Sequence, residues 1–251
     1  MNHRFDKPII VVGASRGLGH GIAIAAAKAG ATVVAVARSA AKFPQLANDS
    51  GTIQVECVDA ADARAAATLL DRYDPEVMIL AAGAAPSMRP LQQHTWETFS
   101  VNWQTDVRIA FEWLREALLK PLRPGSRVIV ISSGAALSPN GSPLSGGYAG
   151  AKATQRLITG YAREEATRAA LDITFTTVLP QFAPSTDIGR PAVEAYAARA
   201  GLSVDDFLRS QPFPLLTPEI AGAAIVELVQ ADSAKVAQAY VLNGAGLREL
   251  A

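Results

Sequence analysis

Pro8-Ile-Ile-Val-Val-Gly-Ala-Ser-Arg-Gly-Leu-Gly19 is the stretch whose reading decides the fold. Pro8 to Val12 is a continuous β-branched run, the pattern of a strand buried on both faces of a parallel sheet. Gly13, Gly17 and Gly19 follow at once. From Leu18 to Ala29 apolar positions recur at helical spacing, and Gly30 supplies a left-handed stop. Ala31 to Ala37 is again apolar and β-branched. Strand, glycine-rich turn, helix and second strand, within roughly thirty residues, make a βαβ unit.

Working outward, the same alternation continues. Ile53 to Val58, Val77 to Ala81, Arg127 to Ser133, Ile173 to Leu179 and Val236 to Leu242 read as further strands. Between them lie helical patterns over Ala61 to Tyr73, over a long segment from near Thr95 to Lys120, and over Tyr148 to Ala169. Thr217-Pro-Glu219 opens a late helix with threonine as N-cap and proline at the first helical position. The pattern predicts a Rossmann-type, doubly wound α/β fold: a parallel sheet of seven strands, helices on both faces, and one domain over 1–251 without repeats or linkers. In that setting the glycine-rich turn has a physical use. Glycines allow a tight turn and let backbone approach a pyrophosphate, while the following helix presents its N-terminus to the anion. The spacing here is Gly-x-x-x-Gly-x-Gly.

The chemistry concentrates around Tyr148-Ala-Gly-Ala-Lys152. Residues four apart share a helical face, and a nearby ammonium favours a phenolate over a phenol, which makes Tyr148 a candidate proton donor. A small, polar loop from Ser138 to Gly147 leads into that helix. The interval from Pro184 to Pro214 carries two short helical patterns beyond a strand's carboxyl end, the place where an open α/β sheet borders its ligand crevice, and reads as a substrate lid. Phe182, Phe207, Phe213, Leu215 and Leu216 near it suit either an apolar substrate wall or core packing.

Composition narrows the function classes. Hydrophobic residues are 49% and charged residues 18%, so the chain has the material for a large core. Lys+Arg and Asp+Glu balance at 23 each, which gives no global reason to expect nucleic acid or an anionic membrane as partner. Cys57, the one cysteine, reads as a buried thiol within the Ile53 to Val58 run, and no metal framework is visible. Met1 to Pro8 lacks a signal-peptide pattern and no apolar run is long enough to span a bilayer, so a cytoplasmic location is expected.

Taken together and in order, these pieces resemble the classical short-chain dehydrogenase/reductase family, from about Ile9 to about Asn243. The matching elements are Gly13-Ala-Ser15-Arg16-Gly17-Leu18-Gly19, Asp59 after the third strand, Ala81-Ala82-Gly83 after the fourth, Asn102 in Val-Asn-Trp, Ser132-Ser133, and Tyr148-x-x-x-Lys152. The resemblance implies that Tyr148 is the acid/base and that Ser133, rather than its neighbour Ser132, hydrogen-bonds the substrate oxygen. It implies that Lys152 holds the nicotinamide ribose and tunes Tyr148, that Asn102 positions a water behind Lys152, and that Asp59 meets the adenine. Gly13, Ser15, Gly17, Leu18 and Gly19 would hold the dinucleotide, with Ala82, Gly83 and Pro180 also on the cofactor. A small carbonyl or alcohol is the implied substrate, and an epimerase or dehydratase, or a cofactor-binding regulator with little turnover, are the alternatives. Several positions depart from the family: the Ser133 to Tyr148 loop is two residues longer, Ala81 and Ala82 stand for asparagines, and Gln181 follows Pro180 where glycine is usual.

Cofactor choice follows from one position. An Asp or Glu ending the second strand marks NAD, whereas an arginine there marks NADP. That strand ends in Ala37 with no carboxylate, Arg38 follows, and Arg16 sits in the glycine loop, which predicts NADP(H). A homotetramer or homodimer is expected through the two long helices, whose outward faces would carry Phe99, Trp103, Phe111, Trp113, Leu157 and Tyr161.

Overall fold

The β-branched runs become strands, and their order in space places the site. In the computed structural model, which describes residues 5–47, 50–138 and 142–250, the strands are β1 (Ile9–Val12), β2 (Val33–Ala37), β3 (Ile53–Cys57), β4 (Val77–Leu80), β5 (Ser126–Ile131), β6 (Ile173–Pro180), β7 (Ala239–Asn243) and β8 (Gly246–Glu249). They form one sheet in the order β3-β2-β1-β4-β5-β6-β7-β8. The first seven pair parallel, and β8 adds antiparallel to β7 through Asn243↔Gly246 to Tyr240↔Glu249. The helices are α1 (Gly17–Lys28), α2 (Ala63–Tyr73), α3 (Trp96–Asn102), α4 (Arg108–Leu119), α5 (Gly146–Arg168), α6 (Gly189–Ala200), α7 (Val204–Arg209) and α8 (Pro218–Gln230).

Strict alternation along each strand divides the core in two. Ile9 and Val11 pack with Ile22, Ala26, Ile225 and Leu228 of α1 and α8 on one face. Ile10 and Val12 pack with Leu69, Trp113, Leu114 and Ala162 of α2, α4 and α5 on the other. Burial on both faces is why β1 and β2 read as unbroken apolar runs. Thr217 caps α8 as its sequence suggests, accepting from the Ile220 amide at 3.3 Å.

Four features differ from the sequence reading. β8 is an eighth strand, turned by Gly244-Ala245 and by Gly246 at φ +101. The expected long helix from Thr95 is interrupted: α3, started by a Thr95/Thr98 capping box, passes through a π turn at Trp103–Val107 before α4 resumes. Cys57 is exposed, because β3 is the edge strand and its end is uncovered. Trp113 does not face outward; it is fully buried, its indole N–H donating to the Ala60 carbonyl at 3.0 Å. No helix among the described residues is long and apolar enough to cross a membrane.

The strand order reverses direction between β1 and β4, and the crevice of an open parallel sheet opens at such a point, beyond the strands' carboxyl ends.

Candidate active site

A cleft of about 1340 Å³ lies there, bounded by the glycine loop, the ends of β2, β4, β5 and β6, the start of α5, and the segment carrying α6 and α7. Gly13 stands at φ +90, and a Cβ on it would lie 2.5 Å from the Ala82 backbone. A Cβ on Gly19 would lie 2.3 Å from the Gly13 carbonyl oxygen. Side chains at either position would force the loop off the end of β4 and off its own helix. Arg16, the residue before α1, makes no side-chain cap, and the first turn of α1 holds no carboxylate. Amides of Gly17, Leu18 and Gly19 therefore open an anion-ready helix end on the cleft. A loop this close to the sheet, an uncapped helix N-terminus and an absence of acid at the end of β2 fit a dinucleotide.

Ser15, Arg16, Arg38, Lys42 and Asp59 line the same end of the cleft. Asp59 accepts from the Ala61 amide at 3.0 Å. Arg16 pairs with Asp187, from the segment after β6, at 3.1 Å. That carboxylate occupies a guanidinium on which the expectation of NADP(H) partly rests. Lys42 is a third cation at this end that the sequence reading passed over, since it belongs to no strand or helix.

The catalytic candidates converge at the other end. Tyr148 and Lys152 lie on α5, with the Lys152 nitrogen 5.5 Å from the centre of the Tyr148 ring. Ser132 is buried and donates to the Lys152 carbonyl at 2.7 Å, tying α5 to the end of β5. Ser133, one residue on, is only half buried and accepts from the Ala135 amide at 3.2 Å, a bond that leaves its own proton unused. Both serines border the cleft, but the Ser132 hydroxyl is spent on fastening the helix whereas that of Ser133 can still donate. Gln181 is drawn back to β7, accepting from the Asn243 side chain at 2.9 Å. Of the longer loop between Ser133 and Tyr148, residues 139–141 lie outside the described residues.

Behind Lys152 stands a group that the sequence reading missed. Asp106, wholly buried on the π turn, faces the Lys152 ammonium at 3.0 Å. Burial alone pushes Lys152 towards its neutral form; the Asp106 carboxylate, and after it the Tyr148 oxygen, outweigh that, and its pKa lies above the ordinary lysine value. Asn102 donates to the Ala84 carbonyl at 2.8 Å and to Asp106 at 3.4 Å, so it joins the π turn to the chain leaving β4. Gln155 is Lys152's other acceptor, at 3.0 Å. The one available signal for Asp106 was its place on the apolar stripe of the helix, in line with Trp113 and Ala117.

The segment from 184 to 214 covers the cleft through aromatic contacts. Phe182 meets Tyr196, Phe207 and Phe213 at 6.1, 5.7 and 6.4 Å between ring centres. The Tyr196 hydroxyl reaches Ser145, at the entry to α5, at 2.9 Å. Leu216 is core, whereas Phe182, Phe207 and Phe213 border the cleft.

Comparison with known proteins agrees with this architecture. The chain is 27% identical to the D-erythrulose reductase of Gallus gallus over 179 residues, 70% of this chain and 65% of that protein. It is 29% identical to the L-xylulose reductase of Mesocricetus auratus over 103 residues, 41% of this chain and 42% of that protein. It therefore spans about two thirds or less of the length of these relatives. A short-chain type dehydrogenase/reductase structure from Mycobacterium ulcerans superposes with a TM-score of 0.77 at 21% identity, covering 98% of this chain and 93% of that one, a likeness of fold. Residues 7–197 match the model of the short chain dehydrogenase family, and the chain belongs to that family.

Proposed function

We propose that the protein is an NADPH-dependent oxidoreductase that interconverts a carbonyl and a secondary alcohol, with Tyr148 as the acid/base. The observation that carries this reading is the convergence of Ser133, Tyr148 and a charged, buried Lys152 on the cleft that the uncapped end of α1 enters. Gly13, Ser15, Gly17, Leu18 and Gly19 would hold the pyrophosphate, Arg38 and Arg16 the 2′-phosphate, Asp59 the adenine, and Lys152 the nicotinamide ribose. Ala82, Gly83 and Pro180 would wall the remainder. When bound, the nicotinamide supplies or accepts the hydride.

The chain's own residues do the rest. Ser133 and Tyr148 donate to the substrate oxygen as negative charge develops there, an arrangement in which loss of one donor costs about 10²–10³ in rate. Tyr148 gives up its proton in reduction and takes one in oxidation, and the Lys152 ammonium stabilises the phenolate between those states. Asn102 would position a water behind Lys152, and its side chain also ties the π turn to the chain leaving β4. Phe182, Phe207 and Phe213 exclude water from one side of the cleft.

The relatives' names place polyhydroxylated ketones such as erythrulose and xylulose among the substrates to try, while the aromatic wall favours adding aryl and alkyl ketones. Incubation with NADPH and such a panel tests the reading. Consumption of NADPH with any member supports it; tight NADPH binding with no turnover on the panel would point to a cofactor-binding regulator instead.

A further inference from the structure

Asp106 is a buried carboxylate for which the mechanism above has no use, and its surroundings are built around it. Its Oδ1 accepts from the Ala84 amide at 2.8 Å and from Asn102 at 3.4 Å, and its Oδ2 faces the Lys152 nitrogen at 3.0 Å. Its own carbonyl accepts from Gln155 at 2.9 Å, and Gln155 in turn receives a Lys152 proton. A Cβ on Gly83 would sit 2.8 Å from Oδ2, so the space for the carboxylate exists because position 83 has no side chain. The ring of contacts runs from the π turn to α5 and to the chain leaving β4.

An ammonium has three protons to donate. Gln155 takes one, and the Asp106 carboxylate stands against the nitrogen as its ion-pair partner at 3.0 Å, so the two together hold the ammonium in place. A lysine this deeply buried and without a counter-charge sheds its proton readily. The charged or titratable groups acting on the nitrogen are Asp106 from the π turn and Tyr148 from α5; Asn102 and Gln155 beside them are neutral. We propose that Asp106 is a positioning residue, whose buried carboxylate holds the Lys152 ammonium charged and in place for Tyr148 and the ribose. The proposal rests on the reading of Tyr148 and Lys152 as the acid/base pair.

Titration of the Lys152 side chain by lysine-selective NMR, in cofactor-free protein, reads the link without any turnover. In the wild type the ammonium should persist past pH 10.5, the ordinary lysine value. In Asp106→Asn it should lose its proton more than about one pH unit earlier, while Asp106→Glu should regain most of the difference. Where a ketone is turned over, Asp106→Asn should lower kcat by about 10- to 100-fold and move the alkaline limb of the kcat profile to lower pH in step with Lys152. A merely structural role would lower the amount of folded enzyme and leave that limb in place. If Asp106→Asn does not fold, the wild-type titration decides alone, and loss of the Lys152 proton below pH 10.5 overturns the proposal. Unshifted titration and an unshifted limb in a folded Asp106→Asn overturn it as well. A shifted titration in a protein that reduces no carbonyl would keep Asp106's hold on Lys152 and remove the proposed reaction.

Discussion

In the proposed function, Arg38 would carry the choice between the two nicotinamide cofactors. It follows β2 directly, it borders the cleft, and the strand before it ends without the carboxylate that would repel a 2′-phosphate. NADPH is expected to exceed NADH in kcat/KM by roughly 10²-fold, the size of charge-assisted contacts of about 1.5–3 kcal/mol reduced by exposure. Arg38→Asp should lower or reverse the ratio; an unchanged ratio would reject the assignment. Arg16 is more encumbered, since Asp187 holds it. Both partners are largely exposed, and pairs of that kind are worth about 0.2–1 kcal/mol. Asp187→Asn should therefore tighten NADPH by about 1.4- to fivefold and leave NADH unaltered, as titration of cofactor fluorescence would reveal. At this scale the sequence was informative where spacing is local. Tyr148 and Lys152 are one helical turn apart, and Ser133 stands two residues past the end of β5, so short-range rules bring them to notice. Asp106 meets Lys152 across two helices, and no local rule connects residues 46 positions apart.

Two helices cross at their glycines, and this makes α1 and α8 a single packing unit. A Cβ on Gly21 would lie 2.1 Å from the Pro218 carbonyl oxygen, and one on Gly222 would lie 2.5 Å from the Gly21 carbonyl oxygen. The backbones touch where side chains would normally separate helices. Gly222→Ala should destabilise the fold by about 1–3 kcal/mol, seen as a lower urea midpoint at an unchanged slope. A midpoint equal to wild type would show that the crossing relaxes freely. The strands and most helices were legible because their apolar periods are uninterrupted. The π turn was not, because Trp103 to Val107 reads as ordinary helix; its extra residue per turn is a tertiary adjustment. β8 escaped notice because four residues with one large apolar side chain, Leu247, offer no alternation to read. The edge position of β3 is likewise a property of the assembled sheet, which is why Cys57 appeared buried in sequence and is exposed in the structure.

For the whole molecule, the surface left uncovered by α5 and the α3 to α4 segment points to self-association. Trp103, Phe111, Leu157 and Tyr161 are exposed, whereas Trp113 has been claimed by the core. Four large apolar side chains on helices that already cover the sheet exceed what a solitary chain has use for. A homodimer or homotetramer is expected, and Leu157→Glu should weaken it. Sedimentation at micromolar concentration that found the wild type wholly at 26.3 kDa would contradict this.

The most direct measurement is the single-turnover rate of Tyr148→Phe beside wild type, with saturating NADPH and any ketone that the wild type reduces. Removing the hydroxyl takes away the transferable proton and keeps the ring against Lys152. Carbonyl reduction should fall by at least about 10²-fold, with NADPH affinity within a few-fold of wild type. Turnover by Tyr148→Phe comparable to wild type would contradict the role of Tyr148 as the acid/base.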